Sequence, residues 1–563
     1  MRRLVSFVVF VIVLAAVIHF GVREPSRNPA PPEAVVAVVP QPVGATLLPG
    51  MGSYSRAIQS KSPDVQKWFD QGLSLAFGFN HDAAERSFLK ALELDPRCAM
   101  CWWGAALVLG PHVNAPMDPS NNAKAWMRIQ KAQAAAADSS RQEQAYVQAL
   151  SARYAEAPPN DRTALDEAYA AAMSELVRNY PDDLDAATLH AEALMDLQPW
   201  DYYDEQRQPK GRTAEIVAAL EAVMARNPDH LGALHLYIHA VEASTDPDRG
   251  ASAADRLRGL VPGSGHLVHM PSHIYTRVGR YDDAAHVNEL AIAADDNYLA
   301  TCRPAPGIYP LGYVPHNHHF LWWAASMEGD SRRALAAASE TAKRTSNPEL
   351  LRSPGFEFLH DFWVTPLKAQ VTFGRWDQIV ATPKPPAEMP YAVAVWEFAQ
   401  GMAAVRQRRL EDAQAHWLAL QAASRDPAIK KIHVGPQHSL GRTVIVAERI
   451  LAGELAVANQ NVAAALAALK QAVAEEDANP YFEPPLWHQP ARQNLGQALL
   501  VAGRPVEAEA VFREDLRRNR GNGWSLRGLV ISLEAQHKPA AAEQAEFEQA
   551  WQHADFKLSG AVL

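Results

Sequence analysis

The feature that most constrains the fold of this chain is a sequence pattern that recurs after 34 residues and is marked by two tryptophans. Trp68 stands near the start of the first copy and Trp102 near the start of the second. Between Val65 and Pro96 the apolar residues recur with helical spacing over two stretches, and a short turn falls near Asn80. A helix pair of this size cannot bury its apolar faces alone, so successive pairs must stack on one another. The pattern therefore predicts an all-α chain of stacked helix pairs.

Small and large residues occupy fixed places in this first helix pair. Gly72 and Ala84 stand where paired helices would approach closely, and aromatic Phe88 would fill the space between them. The pattern resembles the tetratricopeptide repeat (TPR), and the matching residues at repeat positions 4, 8, 20, 24, 27 and 32 are Trp68, Gly72, Ala84, Phe88, Ala91 and Pro96. Gln71 departs from it, since the family has leucine at position 7. The resemblance implies an α-α superhelix, a solenoid whose concave groove holds a protein or peptide partner.

The same signature recurs from about residue 60 to residue 555, clearly at the two ends and weakly between them. Turn glycines followed by alanine or aromatic residues mark further units at Gly279, Gly329, Gly374 and Gly503. The predicted segments are N-terminal TPR-like repeats at 61–226, histidine-rich central repeats at 227–375 and C-terminal repeats at 376–563.

An apolar run near the start decides the predicted compartment. Residues 4–22 are almost wholly apolar, and 19 helical residues span about 28 Å, close to the thickness of a bilayer core. Two arginines precede the run, so its start should stay inside while the rest of the chain crosses. We predict an uncleaved signal anchor at 1–25, a Pro/Ala-rich tether at 26–60, and a main domain anchored to the inner membrane in the periplasm, or otherwise outside the cytoplasm. A cleaved signal peptide is the alternative, but no good cleavage site follows the run.

Histidines are concentrated in one stretch of the chain. Ten of the 21 lie between His230 and His319. Helical spacing places eight side chains on three predicted faces, namely His235, His239 and Glu242 on the first, His266, His269 and His273 on the second, and His316 and His319 on the third. In the TPR register they take positions 2, 5, 9 and 12 of three first helices, the positions that line the concave groove in that family. The resemblance therefore implies that all eight face one stretch of groove.

A transition metal is the chemistry that this set of side chains favours. Imidazole is a common ligand for zinc, copper, iron and nickel, and a catalytic zinc site needs three protein ligands and an open position. We predict that zinc, copper or iron is bound at one or two sites by His235, His239, His266, His269, His273, His316 and His319. Glu242 is the candidate oxygen ligand or general base, and the sequence leaves open whether the chain is an enzyme. The alternative is a metal-free interaction scaffold whose histidines hydrogen-bond a partner.

Composition narrows the remaining functions. The net charge is -10 and no stripe of lysine and arginine occurs, so a nucleic-acid partner is not expected. Three cysteines are too few for a disulfide scaffold of this length. Cys98 and Cys101 form a CxxC motif that would pair as a disulfide after export, and its role stays open.

Overall fold

The computed structural model describes residues 44–60, 62–435 and 438–563, and the regular secondary structure of these residues is almost entirely helical. The described chain divides into two compact units. Unit 1 comprises the described residues up to Thr245 together with Asp255–Val268 and Ala293–Pro310, and unit 2 comprises Asp246–Ala254, His269–Ile292 and Leu311–Leu563.

Most of the helix packing in unit 1 is between helices that are consecutive in the chain. They are Pro63–Phe77, His81–Leu94, Ala99–Leu107, Asn122–Ala136, Arg141–Ser151, Thr163–Asn179, Leu184–Asp196, Thr213–Arg226 and Leu231–Val241, with a 3-10 turn at Pro119–Asn121. The predicted first helix pair is confirmed, with its turn at residues 78–80.

Unit 2 is built in the same way. Its helices are Pro271–Arg277, Val314–Met327, Ser331–Arg344, Pro348–Arg352, Leu359–Trp363, Thr365–Thr372, Trp376–Ala381, Pro390–Arg406, Leu410–Ala423, Pro427–Lys430, Leu440–Ala458, Val462–Asp477, Ala491–Val501, Pro505–Arg518, Gly523–Glu534 and Ala541–Ala550, with a 3-10 turn at Pro247–Gly250. Strands His433–Val434 and His438–Ser439 pair antiparallel, with His433 opposite Ser439. The division between the units falls inside four further elements, which are helices Ala251–Leu257, Gly265–His269 and Tyr281–Cys302 and the π-helical turn Tyr309–Tyr313.

Two aromatic residues show how the predicted repeat packs. The fully buried ring of Phe88 lies against Gly72 and Gly104, where an added methyl carbon would come within 2.7 and 2.5 Å of the ring. In unit 2 the buried ring of Phe512 meets Gly496 and Gly528 in the same way. In both places the phenylalanine follows the first glycine by 16 residues and precedes the second by 16. Glycine is required at these positions because any side chain would displace the ring.

The turn glycines predicted from the repeat signature lie in turns. Gly279, Gly329, Gly374 and Gly503 have φ angles of 82°, 78°, 61° and 69°. Glycine adopts such angles without the steric cost that a side chain brings, so it suits these four turns.

Residues 44–60 form a non-helical segment, here called the strap, that is bound to unit 1 rather than hanging free. The amide nitrogen of Leu48 donates to Gln71 Oε1 at 2.7 Å, and Gln71 Nε2 donates to the carbonyl of Thr46 at 3.0 Å. Further along, the Arg56 guanidinium pairs with Asp183 at 2.9 Å and with Asp185 at 2.7 Å. The departure from the TPR pattern at Gln71 therefore has a physical reason, since leucine there could not hold the strap.

The predicted anchor at residues 4–22 and about half of the predicted tether lie outside the described residues. Within the part of the chain that the structure describes, no helix combines the length and the apolar character needed to cross a bilayer.

Candidate metal centres

Three histidines of unit 1 converge. His235 and His239 lie on helix Leu231–Val241, one turn apart, and His266 lies on helix Gly265–His269. All three side chains are buried. One nitrogen from each ring lies within 4.8 Å of the corresponding nitrogens of the other two. Three imidazoles at this separation provide the number of protein ligands that an open zinc or copper site requires.

Hydrogen bonds fix which nitrogen of these rings carries the lone pair. His235 Nδ1 lies 2.5 Å from the carbonyl oxygen of Phe77, which can only accept, so this nitrogen is the protonated one. His239 Nδ1 donates to Glu242 Oε1 at 2.9 Å. Both rings therefore carry their lone pair on Nε2, the form that binds a metal. Carbonyl and carboxylate acceptors behind a ligating histidine are the usual surroundings of protein metal sites.

Three histidines of unit 2 form a second group. His269 ends helix Gly265–His269, His273 lies on helix Pro271–Arg277, and His316 lies in the first turn of helix Val314–Met327. Their nitrogens again lie within 4.8 Å of one another. His269 and His273 are buried and His316 is half-buried. The open side of this group is therefore the side of His316.

The second group is supported from behind in the same manner. His269 Nδ1 lies 2.7 Å from Asn288 Oδ1, and Asn288 Nδ2 donates to the carbonyl of Ala284 at 2.7 Å, which fixes the orientation of the amide. His269 Nδ1 is therefore the donor, and its lone pair is on Nε2. His273 Nδ1 lies 3.5 Å from Glu483 Oε1. The Nε2 atoms of His269 and His273 are 2.8 Å apart, so His273 Nε2 donates a hydrogen bond to the lone pair of His269 Nε2.

The predicted face of His266, His269 and His273 lies across two short helices. The first helix ends at His269 and the second begins at Pro271, which has no amide proton to donate to the first. Met270 between them keeps helical φ and ψ angles of -51° and -37°. His266 belongs to unit 1, while His269 and His273 belong to unit 2.

The remaining predicted residues have other neighbours. Among the described residues His319 belongs to neither group, and its ring lies 4.9 Å from Trp322 and 5.2 Å from Phe362. Glu242 is fully buried and accepts the hydrogen bond from His239, which makes it an orienting group in unit 1. Its predicted role as oxygen ligand or general base stays a prediction.

Sequence reasoning missed a wall of aromatic and imidazole rings around the group in unit 1. The Phe79 ring lies 4.6 Å from His235 and 4.6 Å from His112, and the ring of His81 lies 4.5 Å from that of His112. Burial lowers the pKa of His112 well below its usual range, and interactions with His81, Arg153, His235 and His239 add to the effect. His112 follows a helix in a loop without helical spacing, so no local pattern identifies it.

Comparisons with known proteins say little about the function of these histidine groups. No known protein family matches the chain, and no curated protein matches it. Solved structures that align with it are helical-repeat proteins. The human IFIT1 dimer with m7Gppp-AAAA has 12% identity and a TM-score of 0.31 over 89% of this chain and 92% of its own. The P58(IPK) TPR domain has 11% identity and a TM-score of 0.22 over 84% and 98%, and yeast Tom70 has 12% identity and a TM-score of 0.26 over 85% and 90%. Scores this low do not establish a common fold, so the fold rests on the helix pairs described above.

Proposed function

We propose that this chain is a helical-repeat protein that binds transition metals at two three-histidine centres. His235, His239 and His266 form the centre of unit 1, and His269, His273 and His316 form the centre of unit 2. The observation that carries the proposal is the support behind the rings. In each centre at least one imidazole is held at Nδ1 by an acceptor, with Nε2 left as the ligating nitrogen.

Histidine-only centres narrow the choice of metal. Neutral imidazole suits zinc, copper and iron, whereas magnesium and calcium prefer oxygen ligands. Three ligands leave a coordination position open, as catalytic zinc sites do. The half-buried side chain of His316 makes unit 2 the better candidate for a metal-dependent reaction, because an open position there is nearest to solvent. A metal bound there would lower the pKa of a bound water.

Metal titration of the full chain, purified without a histidine tag, tests this proposal. We expect about two equivalents of zinc or copper per chain, measured by elemental analysis after dialysis. Binding should weaken between pH 7 and pH 5, because imidazole must lose its proton to act as a ligand. If the chain retains no metal after reconstitution, the proposal is wrong and the histidines serve only as hydrogen-bonding groups.

A metal-free interaction scaffold is the second candidate, and the strap favours it. Unit 1 already holds a non-helical segment of its own chain through side chains from separate parts of the unit, such as Gln71, Glu143 and Asp183. A surface that binds one extended segment has the chemistry to bind a protein or peptide partner in the same way.

We also propose that residues 4–22 anchor the chain in a membrane and that the two units lie outside the cytoplasm. The Cys98–Cys101 disulfide supports this location, because disulfides persist in oxidising compartments and are rare in the cytosol. A reporter enzyme that is active only outside the cytoplasm, fused after residue 43, should be active and sediment with membranes. The same fusion without residues 4–22 should be inactive. Release of a soluble active reporter would indicate a cleaved signal peptide instead.

A further inference from the structure

A second group of buried polar side chains in unit 2 lies outside both proposed metal centres. Trp322, Trp487, His319 and His488 are all at least nine-tenths buried. The ring of His319 lies 4.9 Å from Trp322, that of Trp322 lies 5.8 Å from His488, and that of His488 lies 4.9 Å from Trp487. The four rings therefore form a continuous cluster, here called the indole–imidazole cluster.

Five nitrogen atoms of this cluster make no hydrogen bond to any described residue. They are Trp322 Nε1, Trp487 Nε1, His319 Nε2, His488 Nδ1 and His488 Nε2. Nearly all buried polar groups in proteins have a hydrogen-bond partner, and each one left without a partner is costly. Five in one cluster would offset much of the stability of a whole domain. The cluster must therefore contact something polar that is not part of the described chain.

The donors of the cluster outnumber its acceptors. An indole N–H can only donate, and a neutral imidazole offers one donor and one acceptor. Both imidazoles are neutral, because burial lowers the pKa of His319 to about 3 and that of His488 well below its usual range. The occupant must therefore bring acceptor atoms, and oxygen atoms of a carboxylate suit this need.

A buried ion pair, Lys368 with Asp361, supplies the charge beside the cluster. Burial and then Lys368 lower the pKa of His488, whereas at His319 the opposite effect of the Asp361 carboxylate on the pKa is larger than that of Lys368. The hydrogen bond of Lys368 is to Asp361 Oδ1 at 2.5 Å, and the same oxygen accepts from the Tyr391 hydroxyl at 2.6 Å. An ammonium has three protons to donate, so two remain for another acceptor. Near His488, where Lys368 acts and Asp361 does not, an anion is favoured over a metal cation.

Aromatic rings beside the cluster indicate that the occupant also has an apolar part. The Phe362 ring lies 5.2 Å from His319, and the Phe398 ring lies 5.0 Å from Trp487. Together with the two indoles they give the occupant aromatic surfaces on which an apolar or planar body can pack. We infer that the indole–imidazole cluster of unit 2 is a binding site for a small organic carboxylate, separate from the metal centres.

Calorimetric titration of the full chain with sodium benzoate and with sodium acetate, at constant ionic strength, tests this inference. Saturable binding of at least one carboxylate is expected, and benzyl alcohol should bind more weakly because it lacks the charge. Trp487→Phe and Trp322→Phe each keep an aromatic ring but remove one donor. Each should weaken carboxylate binding about tenfold, which is the effect of one lost hydrogen bond.

The matched control is Trp396→Phe. Trp396 is in the same unit, but its Nε1 already donates to the carbonyl of Thr382 at 2.9 Å, so binding should be unchanged. Circular dichroism of each variant checks that it folds, and the two donor variants provide independent measurements should one fold poorly. No saturable binding of either carboxylate to the wild type would overturn the inference. Equal affinities in Trp487→Phe, Trp322→Phe and the control would also overturn it.

Discussion

Replacing His239 with alanine should leave the chain with about one bound metal instead of two. The substitution removes one of three imidazoles from the proposed centre in unit 1 and also removes the partner of Glu242. Two remaining ligands do not make a site of useful affinity, whereas the centre in unit 2 keeps all its residues. Elemental analysis after reconstitution and dialysis measures the change, and circular dichroism should show the helices intact.

Three further variants test whether the loss of metal is specific to each proposed centre. His269→Ala should remove the metal of unit 2 alone, and the double variant with His239→Ala should bind none. His286→Ala is the matched control, since His286 lies in the same histidine-rich stretch but is exposed and belongs to neither group among the described residues. An unchanged metal content in the double variant would contradict both centres.

Phe88→Ala should destabilise unit 1 by about 3–5 kcal/mol, the range for removing a buried aromatic ring. The ring fills the space between Gly72 and Gly104, and neither glycine has a side chain that could move into the cavity. Denaturant unfolding followed by hydrogen exchange of helices Pro63–Phe77 and His81–Leu94 measures the loss within unit 1.

Two further substitutions calibrate this measurement. Phe512→Ala should have an effect of similar size in unit 2, because its ring lies between Gly496 and Gly528. Leu418→Ala, at a side chain that is 51% exposed, should cost little in comparison. A loss for Phe88→Ala no larger than that for Leu418→Ala would show that the ring does not hold the helix pair together.

Much of the fold could be predicted because its determinants are local in sequence. Apolar spacing defines the helices, and turn glycines such as Gly279 and Gly329 lie at the expected turns. The aromatic Phe88 and the small Gly72 were correctly placed at the contact between paired helices. The binding of the strap by Gln71 was not predictable, since it depends on a contact between residues 23 positions apart.

The candidate site was predictable only where its geometry is that of one helix. His235 and His239 lie one turn apart on helix Leu231–Val241 and Glu242 is its C-cap, so their spacing was informative. His266 and His269 belong to different units although they lie on the same short helix, and helical spacing does not indicate this division. Asn288 and Glu483 support the second group from distant parts of the chain, and no local signal identifies them.

The interleaving of the two units has a consequence for how the protein is made. A chain that emerges from a ribosome or a translocation channel presents its N-terminus first, and domains fold as they become complete. The first two proposed ligands of unit 1, His235 and His239, emerge well before the last segment of that unit, which ends at Pro310. At ordinary rates of synthesis the gap lasts on the order of several seconds. During that interval unit 1 lacks its last segment, Ala293–Pro310, and apolar helix faces are exposed. A chaperone would bind the protein in this incomplete state.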